Sequence, residues 1–190
     1  MTNESRRQQH DERPDATFTH PLADIAAQVD GELVTDGPAV TGIALSTQGV
    51  RPGDLFVAAG GASTHGARYA SDALAAGAVA VLTDPDGAAL VPSGVPIIVV
   101  ADPRAVLGRL SVWFYDRPAD ALKTIGVTGT QGKTSTTFLI DAALGEHHSG
   151  LIGSMGSKID GVPVPTKLTT PEAPAMQALC LLYTSPSPRD

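Results

Sequence analysis

The feature that most constrains the fold of this chain is a glycine-rich segment between an apolar run and a helix-forming stretch. The apolar run at residues 124–127 predicts a buried strand, and residues 136–144 predict a helix. Gly129 and Gly132 let the backbone turn sharply and approach an oligophosphate without a Cβ in the way. Strand, glycine-rich turn and helix start form the context that a phosphate-binding loop requires. We therefore predict that this segment binds ATP or a close relative of ATP, the alternative being a glycine-rich structural turn.

This loop offers the groups that bind an oligophosphate. Successive backbone N–H groups face the phosphates, and the N-terminus of the new helix adds about half a positive charge. Lys133 would reach the β- and γ-phosphates, and the Thr134 hydroxyl would bind Mg²⁺, so these two are the candidate catalytic residues and Thr134 is the candidate metal ligand. The residues predicted to hold ATP are Gly129, Thr130, Gln131, Gly132, Lys133, Thr134 and Ser135.

Composition and charge exclude several classes of protein. A length of 190 residues allows one large domain or one and a fraction, and 42% hydrophobic residues suffice for a core. The net charge of −7 argues against non-specific binding of nucleic acid, which needs a basic face. The single cysteine, Cys180, permits no intramolecular disulfide and fits a reducing compartment. With no apolar run of membrane-spanning length and no signal peptide, we expect a cytoplasmic protein without a membrane partner.

Residues 18–117 alternate short apolar strands with helices, a pattern that predicts a small α/β domain with a parallel sheet. In such sheets ligands bind beyond the carboxyl ends of the strands. The loop at residues 60–66 has that position, and Ser63, Thr64 and His65 can hydrogen-bond a sugar or a phosphate. An ordinary polar loop is an equally good interpretation. The predicted strands are residues 40–45, 54–59, 79–82 and 97–100, and the predicted helices follow Thr19, span residues 67–76 and begin at Pro103.

The remaining segments are interpreted from their composition. Residues 1–17 are polar and predict a flexible leader, and residues 118–123 predict a linker. Residues 124–179 then form the beginning of a second α/β domain that contains the phosphate loop. Residues 180–190 end in a Ser- and Pro-rich run that we interpret as a non-native tail of a truncated reading frame.

Several phrases of the sequence resemble the Mur ligase family. The loop T-G-T-Q-G-K-T-S is shorter than the strict G-x-x-x-x-G-K-[ST] pattern and resembles the phosphate loop of that family, which usually has Asn at the position of Gln131. The phrases V-R-P-G-D-L-F-V-A, T-H-G-A-R-Y, A-L-A-A-G-A-V-A-V-L and L-T-T-P-E occur in the order found in one branch of the family. The resemblance covers residues 18–178.

This resemblance implies an ATP- and Mg²⁺-dependent ligase that joins an amino acid to a UDP-N-acetylmuramoyl dipeptide through an acyl phosphate, acting as a monomer. In that branch the amino acid is the third residue of the cell-wall stem peptide, usually meso-diaminopimelate and sometimes lysine. The first domain would hold the nucleotide sugar, and the second would be the truncated start of a P-loop α/β ATPase domain, so the fragment alone would be inactive. The positions that match substrate contacts are Leu45, Thr47, Ala62, Ser63, Thr64, Thr169 and Thr170.

Three alternatives stay open at this point. One is another ligase of the same family that uses a different amino acid or peptide. The second is a phosphate-loop kinase or GTPase, although about 120 residues precede the loop here and such proteins commonly place it near the N-terminus. The third is a binding module that captures a UDP-sugar without ligation.

Overall fold

The computed structural model of the chain describes residues 18–145, 148–164 and 170–184. It consists of two compact units with the boundary between Arg117 and Pro118. Residues 1–17, the predicted leader, lie outside the described residues.

The first unit is built on a five-stranded sheet. Its strands are β1 (Glu32–Thr35), β2 (Gly42–Ala44), β3 (Asp54–Ala58), β4 (Ala80–Thr83) and β5 (Ile97–Val99), in the spatial order β1-β5-β4-β3-β2. Strands β2 to β5 pair in parallel, as the alternation of strands and helices predicts, and all five residues of β3 are buried. The edge strand β1 pairs antiparallel with β5 and was not predicted, because its burial alternates and it contains no continuous apolar run.

Four helices accompany this sheet: α1 (Leu22–Val29), α2 (Ala70–Ala75), α3 (Pro85–Ala88) and α4 (Pro103–Phe114). Helix α1 buries Leu22, Ile25, Ala26 and Val29. The sequence suggests Thr19 as the N-cap of this helix, but the N-cap position is occupied by Pro21, without a side-chain cap. Helix α4 begins where Asp102 Oδ1 accepts hydrogen bonds from the N–H groups of Arg104 (2.8 Å) and Ala105 (3.2 Å).

The helix predicted at residues 67–76 is shorter and more irregular than expected. A 3₁₀ turn at Gly66–Tyr69 precedes α2, and the buried positions are Ala67, Ala70 and Ala73. The helical spacing of Tyr69, Ala73 and Ala76 predicts one apolar stripe, but the Tyr69 side chain is 47% exposed. The small alanine side chains let this segment lie close to the sheet, where Phe56 and Val81 complete the cluster.

The second unit contains helix α5 (Lys133–Leu144), an antiparallel sheet of β6 (Gly150–Gly153), β7 (Gly156–Ile159) and β8 (Val162–Val164), and helix α6 (Ala173–Thr184). A 3₁₀ turn at Pro118–Ala121 lies within the predicted linker. Helix α6 continues to Thr184, past the position where the sequence predicts the tail to begin, and residues 185–190 lie outside the described residues.

The prediction of a buried strand at residues 124–127 is wrong for this chain. These residues form no regular secondary structure, and the Ile125 side chain is 66% exposed. A buried strand needs a neighbouring strand to form hydrogen bonds with its N–H and C=O groups. Within the described part of the second unit, the strands β6, β7 and β8 pair with one another and none pairs with residues 124–127. None of the described helices of either unit is long and apolar enough to cross a bilayer.

Candidate functional site

The candidate phosphate loop ends directly at the first turn of α5. Gly132 is the N-cap residue of this helix and has φ +78°, while Gly129 has φ +151°, both in the region that favours glycine. A Cβ on Gly132 would meet no atom within 4 Å, so the backbone conformation, rather than a lack of space, explains this glycine. A glycine cap has no side chain that could accept hydrogen bonds from the first N–H groups of α5. Residues 133–135 therefore present the donor end of the helix that the sequence predicts.

The two candidate catalytic side chains lie in this first turn. The Lys133 ammonium donates a hydrogen bond to the carbonyl oxygen of Gly129 at 2.6 Å and is exposed. Because an ammonium has three donors, two of them are left for phosphate oxygens. The Thr134 hydroxyl lies 3.2 Å from the Ser154 hydroxyl. Ser154 belongs to the turn between β6 and β7 and was missed by the sequence reasoning, because the contact depends on how the hairpin packs on α5.

An ion pair attaches that hairpin to α5. The Lys158 ammonium on β7 donates to Asp141 on α5 and lies 5.2 Å from the centre of the Phe138 ring. Ser149 donates to the other oxygen of Asp141 at 2.8 Å. The hydrogen bond from Lys158, assisted by that from Ser149, lowers the pKa of the Asp141 carboxyl below its ordinary value. Both charged side chains are less than one-third exposed, so this contact fixes the turn that contains Ser154.

Replacing Asp141 with asparagine is expected to destabilise this hairpin by about 1 kcal/mol at neutral pH. A lowered pKa in the folded state means that the contribution is complete above the ordinary carboxyl pKa and is lost as the pH falls through the lowered value. Hydrogen exchange of the amides in α5 and β7, measured from neutral to acidic pH, checks this expectation. The difference between parent and variant should shrink with acidification, and Lys158→Gln should give the same profile. A difference independent of pH would contradict this account.

The predicted nucleotide-sugar contacts of the first unit lie at the carboxyl ends of two neighbouring parallel strands. Leu45 and Thr47 follow β2 and are half-buried, whereas Ala62 and Ser63 follow β3 and are exposed. The Thr64 carbonyl accepts a hydrogen bond from the Gly61 N–H at 3.0 Å, which closes the loop into a tight turn. The fold thus brings both sequence segments to one edge of the sheet.

The same edge contains a histidine–carboxylate pair. His65 ends the loop after β3, and its Nε2 lies 3.0 Å from both carboxylate oxygens of Asp84, which follows β4. Burial alone would raise the pKa of the Asp84 carboxyl, but the hydrogen bonds from His65 and the Gly87 N–H outweigh it and leave this pKa below its ordinary value. The sequence identifies His65 as a polar loop residue; its partner Asp84 is evident only from the fold.

The two predicted contacts to the peptide part of the substrate are only half described. Thr170 is exposed and precedes α6, while Thr169 lies outside the described residues. Helix α6 begins at Ala173. Its first turn includes the hydrogen bond from the Met176 N–H to the Glu172 carbonyl at 2.9 Å.

Two family profiles match the chain. The one described as Mur ligase family, catalytic domain, matches residues 39–115, and the one described as Mur ligase middle domain matches residues 127–185, so that together they include well over half of the chain. The chain belongs to the Mur ligase family. The membership expected from the loop and from the ordered phrases is confirmed.

Two curated relatives show which members of the family this Mur ligase chain is similar to. It is 43% identical over 169 residues to the UDP-N-acetylmuramoyl-L-alanyl-D-glutamate–2,6-diaminopimelate ligase of Streptomyces avermitilis, and the alignment covers 88% of this chain and 33% of that enzyme. It is 45% identical over 174 residues to the UDP-N-acetylmuramyl-tripeptide synthetase of Leifsonia xyli, covering 88% of this chain and 34% of that enzyme. The Mur ligase chain thus spans about a third of the length of these curated relatives.

A solved structure confirms the fold class. The structure of a UDP-N-acetylmuramoyl-L-alanyl-D-glutamate–2,6-diaminopimelate ligase matches this Mur ligase chain with a TM-score of 0.62 and 25% identity, covering 87% of this chain and 33% of the other. The predicted α/β architecture with a parallel sheet is therefore confirmed.

Proposed function

We propose that this chain is part of an ATP-dependent ligase that adds the third amino acid, meso-diaminopimelate, to UDP-N-acetylmuramoyl-L-alanyl-D-glutamate. The observation that supports it most is the glycine-capped first turn of α5, with Lys133 and Thr134 at the donor end of the helix. The sequence similarity to ligases named for this reaction supports the choice of substrate. The 190 residues alone are expected to be inactive, since they span about a third of those relatives.

The residues of the loop fit ATP with Mg²⁺. Backbone N–H groups and the Lys133 ammonium are donors of the kind that phosphate oxygens accept. The hydroxyls of Thr134 and Ser154, 3.2 Å apart, are hard oxygen ligands of the kind that Mg²⁺ takes together with phosphate oxygens. Mg²⁺ bound with ATP neutralises charge on the phosphates. Thr134 is the proposed protein ligand because it directly follows the loop lysine, where it would reach Mg²⁺ held by the phosphates. In the described part of the chain no group of three or more His, Cys, Asp or Glu side chains is arranged to hold a metal ion.

The proposed reaction has two steps. One carboxylate of the D-glutamate residue of the UDP-linked dipeptide attacks the γ-phosphorus of ATP, the bond between that phosphorus and the bridging β-phosphate oxygen breaks, and ADP departs, leaving an acyl phosphate. The amine of the incoming amino acid then attacks the acyl carbon, expels inorganic phosphate and loses a proton, which forms the amide. The loop contributes by positioning the phosphates and by stabilising charge with Lys133 and the backbone N–H groups.

The two units divide the binding of substrates in this proposal. Residues 18–117 bind the nucleotide sugar, residues 118–123 link the units, and residues 124–179 bind ATP. The contacts to the uridine nucleotide come from Leu45, Thr47, Ala62, Ser63 and Thr64, and those to the muramoyl peptide from Thr169 and Thr170. The proposed enzyme is a cytoplasmic monomer that needs neither nucleic acid nor a membrane. The net charge of −7 supports the absence of a nucleic-acid partner.

Incubation of the intact enzyme with ATP, Mg²⁺, the UDP-linked dipeptide and meso-diaminopimelate is expected to yield a product larger by one amino-acid residue. Mass spectrometry of the product and the release of one phosphate per product molecule measure this. Parallel reactions with meso-diaminopimelate and L-lysine decide the amino acid, and we expect the former to react at least tenfold faster. Transfer of phosphate to a stable acceptor without an amide product would favour a kinase and contradict the proposal. Binding of the UDP-sugar without any turnover would also contradict the proposal and would favour a module that only binds the UDP-sugar.

A further inference from the structure

The histidine–carboxylate pair of the first unit lies where a ligand of this sheet would bind. Strands β3 and β4 are parallel neighbours, with Ala58 opposite Thr83 at their carboxyl ends. His65 ends the loop that leaves β3, and Asp84 is the first residue after β4. Ligands of open α/β sheets bind beyond these carboxyl ends. The pair therefore connects the candidate nucleotide loop to the neighbouring strand.

Both ring nitrogens of His65 are used within the protein. Its Nδ1 accepts a hydrogen bond from the Ala67 N–H at 3.0 Å, which assigns the ring proton to Nε2. Nε2 then donates to the Asp84 carboxylate, 3.0 Å from each oxygen. Because neither nitrogen is left to accept a proton from a ligand, His65 does not act as a base. Its geometry is that of a residue that holds the loop in place.

Asp84 is itself fixed to the scaffold. Its Oδ1 accepts a hydrogen bond from the Gly87 N–H at 2.8 Å, which caps the start of α3. The side chains of His65 and Asp84 are only 15% and 20% exposed, so the hydrogen bond between them is shielded from water. A Cβ on Gly87 would lie 2.4 Å from His65 Cε1, which shows that the ring packs directly on the backbone of α3.

The loop that this pair holds has few other attachments. Its ends are joined by the Gly66 N–H and the Ala59 carbonyl at 2.9 Å, and the turn is closed between Gly61 and Thr64. Across residues 60–66, all of which are described, His65 makes the only side-chain hydrogen bond to another strand or helix. A loop that is ordered before the ligand arrives avoids the cost of ordering on binding.

We propose that His65 and Asp84 are positioning residues for the uridine nucleotide, which set the conformation of residues 61–64 through the hydrogen bond between them. This inference rests on the proposed function, since it assigns the loop after β3 to the nucleotide of the substrate. The pair itself does not touch the reacting atoms. Its loss should therefore weaken binding of the UDP-linked substrate without altering the chemistry.

Isothermal titration calorimetry of the 190-residue chain with UDP-N-acetylmuramoyl dipeptide tests the proposal. His65→Asn keeps an acceptor for the Ala67 N–H but loses the donor to Asp84, and we expect affinity to fall about tenfold. His65→Gln places an amide N–H near the position of Nε2 and should restore affinity to within about threefold. Asp84→Ser keeps the cap of α3 but loses the contact with His65, so it should match His65→Asn. The double variant should be no weaker than either single one, because both remove the same hydrogen bond.

A matched control is Arg109→Gln, which removes another charged contact of the same unit. Arg109 donates to Asp30 at 2.7 Å in an exposed ion pair, and its loss should leave the affinity unchanged. Thermal unfolding of each variant confirms that binding is measured on folded protein.

Each outcome is decisive. Failure of the parent chain to bind the UDP-linked dipeptide would overturn the proposed function of the first unit and this inference with it. Parent-like binding by both His65→Asn and Asp84→Ser would overturn this inference alone. If His65→Gln binds as weakly as His65→Asn, or if neither His65→Asn nor Asp84→Ser folds, the pair has a purely structural role and the inference also fails.

Discussion

Replacing Lys133 with alanine is expected to abolish ATP-dependent ligation in the intact enzyme, lowering kcat/KM for ATP by about 10³-fold. The ammonium is the one positive side chain in the first turn of α5, and it already donates to the carbonyl of Gly129 across the loop. Alanine removes the charge that stabilises the transferred phosphoryl group and the hydrogen bond that joins the two ends of the loop. Phosphate release and amide formation, followed in the same reaction, measure the loss.

Two further variants identify the cause of that loss. Lys123→Ala removes an exposed lysine of the same unit outside the loop and should leave turnover unchanged. Lys133→Arg keeps the charge but not the compact ammonium, and it should recover only a small part of the activity. Near-normal turnover of Lys133→Ala would refute the assignment of the phosphate loop.

Replacing Gly87 with alanine is expected to destabilise the first unit by about 3 kcal/mol. The added Cβ would lie 2.0 Å from Thr83 Oγ1 and 2.4 Å from His65 Cε1. Thr83 cannot move away without loss of stability, because it is fully buried and its hydroxyl donates to the Ala58 carbonyl at 2.7 Å. His65 is held by Asp84 and by the Ala67 N–H. The strain therefore falls on the carboxyl edge of β3 and β4.

Denaturant unfolding followed by tryptophan fluorescence measures this effect in the first unit alone. Trp113, the single tryptophan of the chain, lies in α4, and the centre of its ring is 4.3 Å from the centre of the His20 ring. Gly108→Ala is the matched control, since a Cβ there meets no atom within 4 Å and alanine is the better helix former. We expect that control to stabilise the unit by about 0.5–1 kcal/mol. Equal free energies of unfolding for Gly87→Ala and Gly108→Ala would contradict the close packing around Gly87.

The phosphate loop illustrates how far local sequence determines structure. Gly132 and Lys133 fix the start of α5 because a left-handed glycine followed by a helix-forming run leaves the backbone few alternatives. The sequence predicts that start three residues too late, at Thr136, since the first turn contains polar residues that form no apolar stripe. The adjacent strand at residues 124–127 did not form, because an extended segment depends on partners from elsewhere in the fold.

Helix α4 illustrates a smaller error of the same kind. The sequence predicts a stripe of Val106, Leu110 and Trp113 with Leu107 and Phe114 beside it. The buried face is centred on Leu107, Leu110 and Phe114 instead. Ser111 joins this face because its hydroxyl donates to the Leu107 carbonyl at 2.7 Å and thus needs no water. Periodicity fixed the existence of the helix, whereas its rotation about its axis depended on the surface against which it packs.

The amino-acid sequence by itself determined the glycine-rich turn before α5, the parallel pairing of β2 to β5 and the membership of the Mur ligase family. These features depend on short-range backbone preferences and on runs of apolar residues, which are legible along the chain. Only the tertiary structure decided the pairing of His65 with Asp84, of Asp141 with Lys158 and of Thr134 with Ser154. Each of these contacts joins residues 17 to 20 positions apart through the packing of separate elements, and side-chain distances of that kind are set by the fold rather than by neighbouring residues.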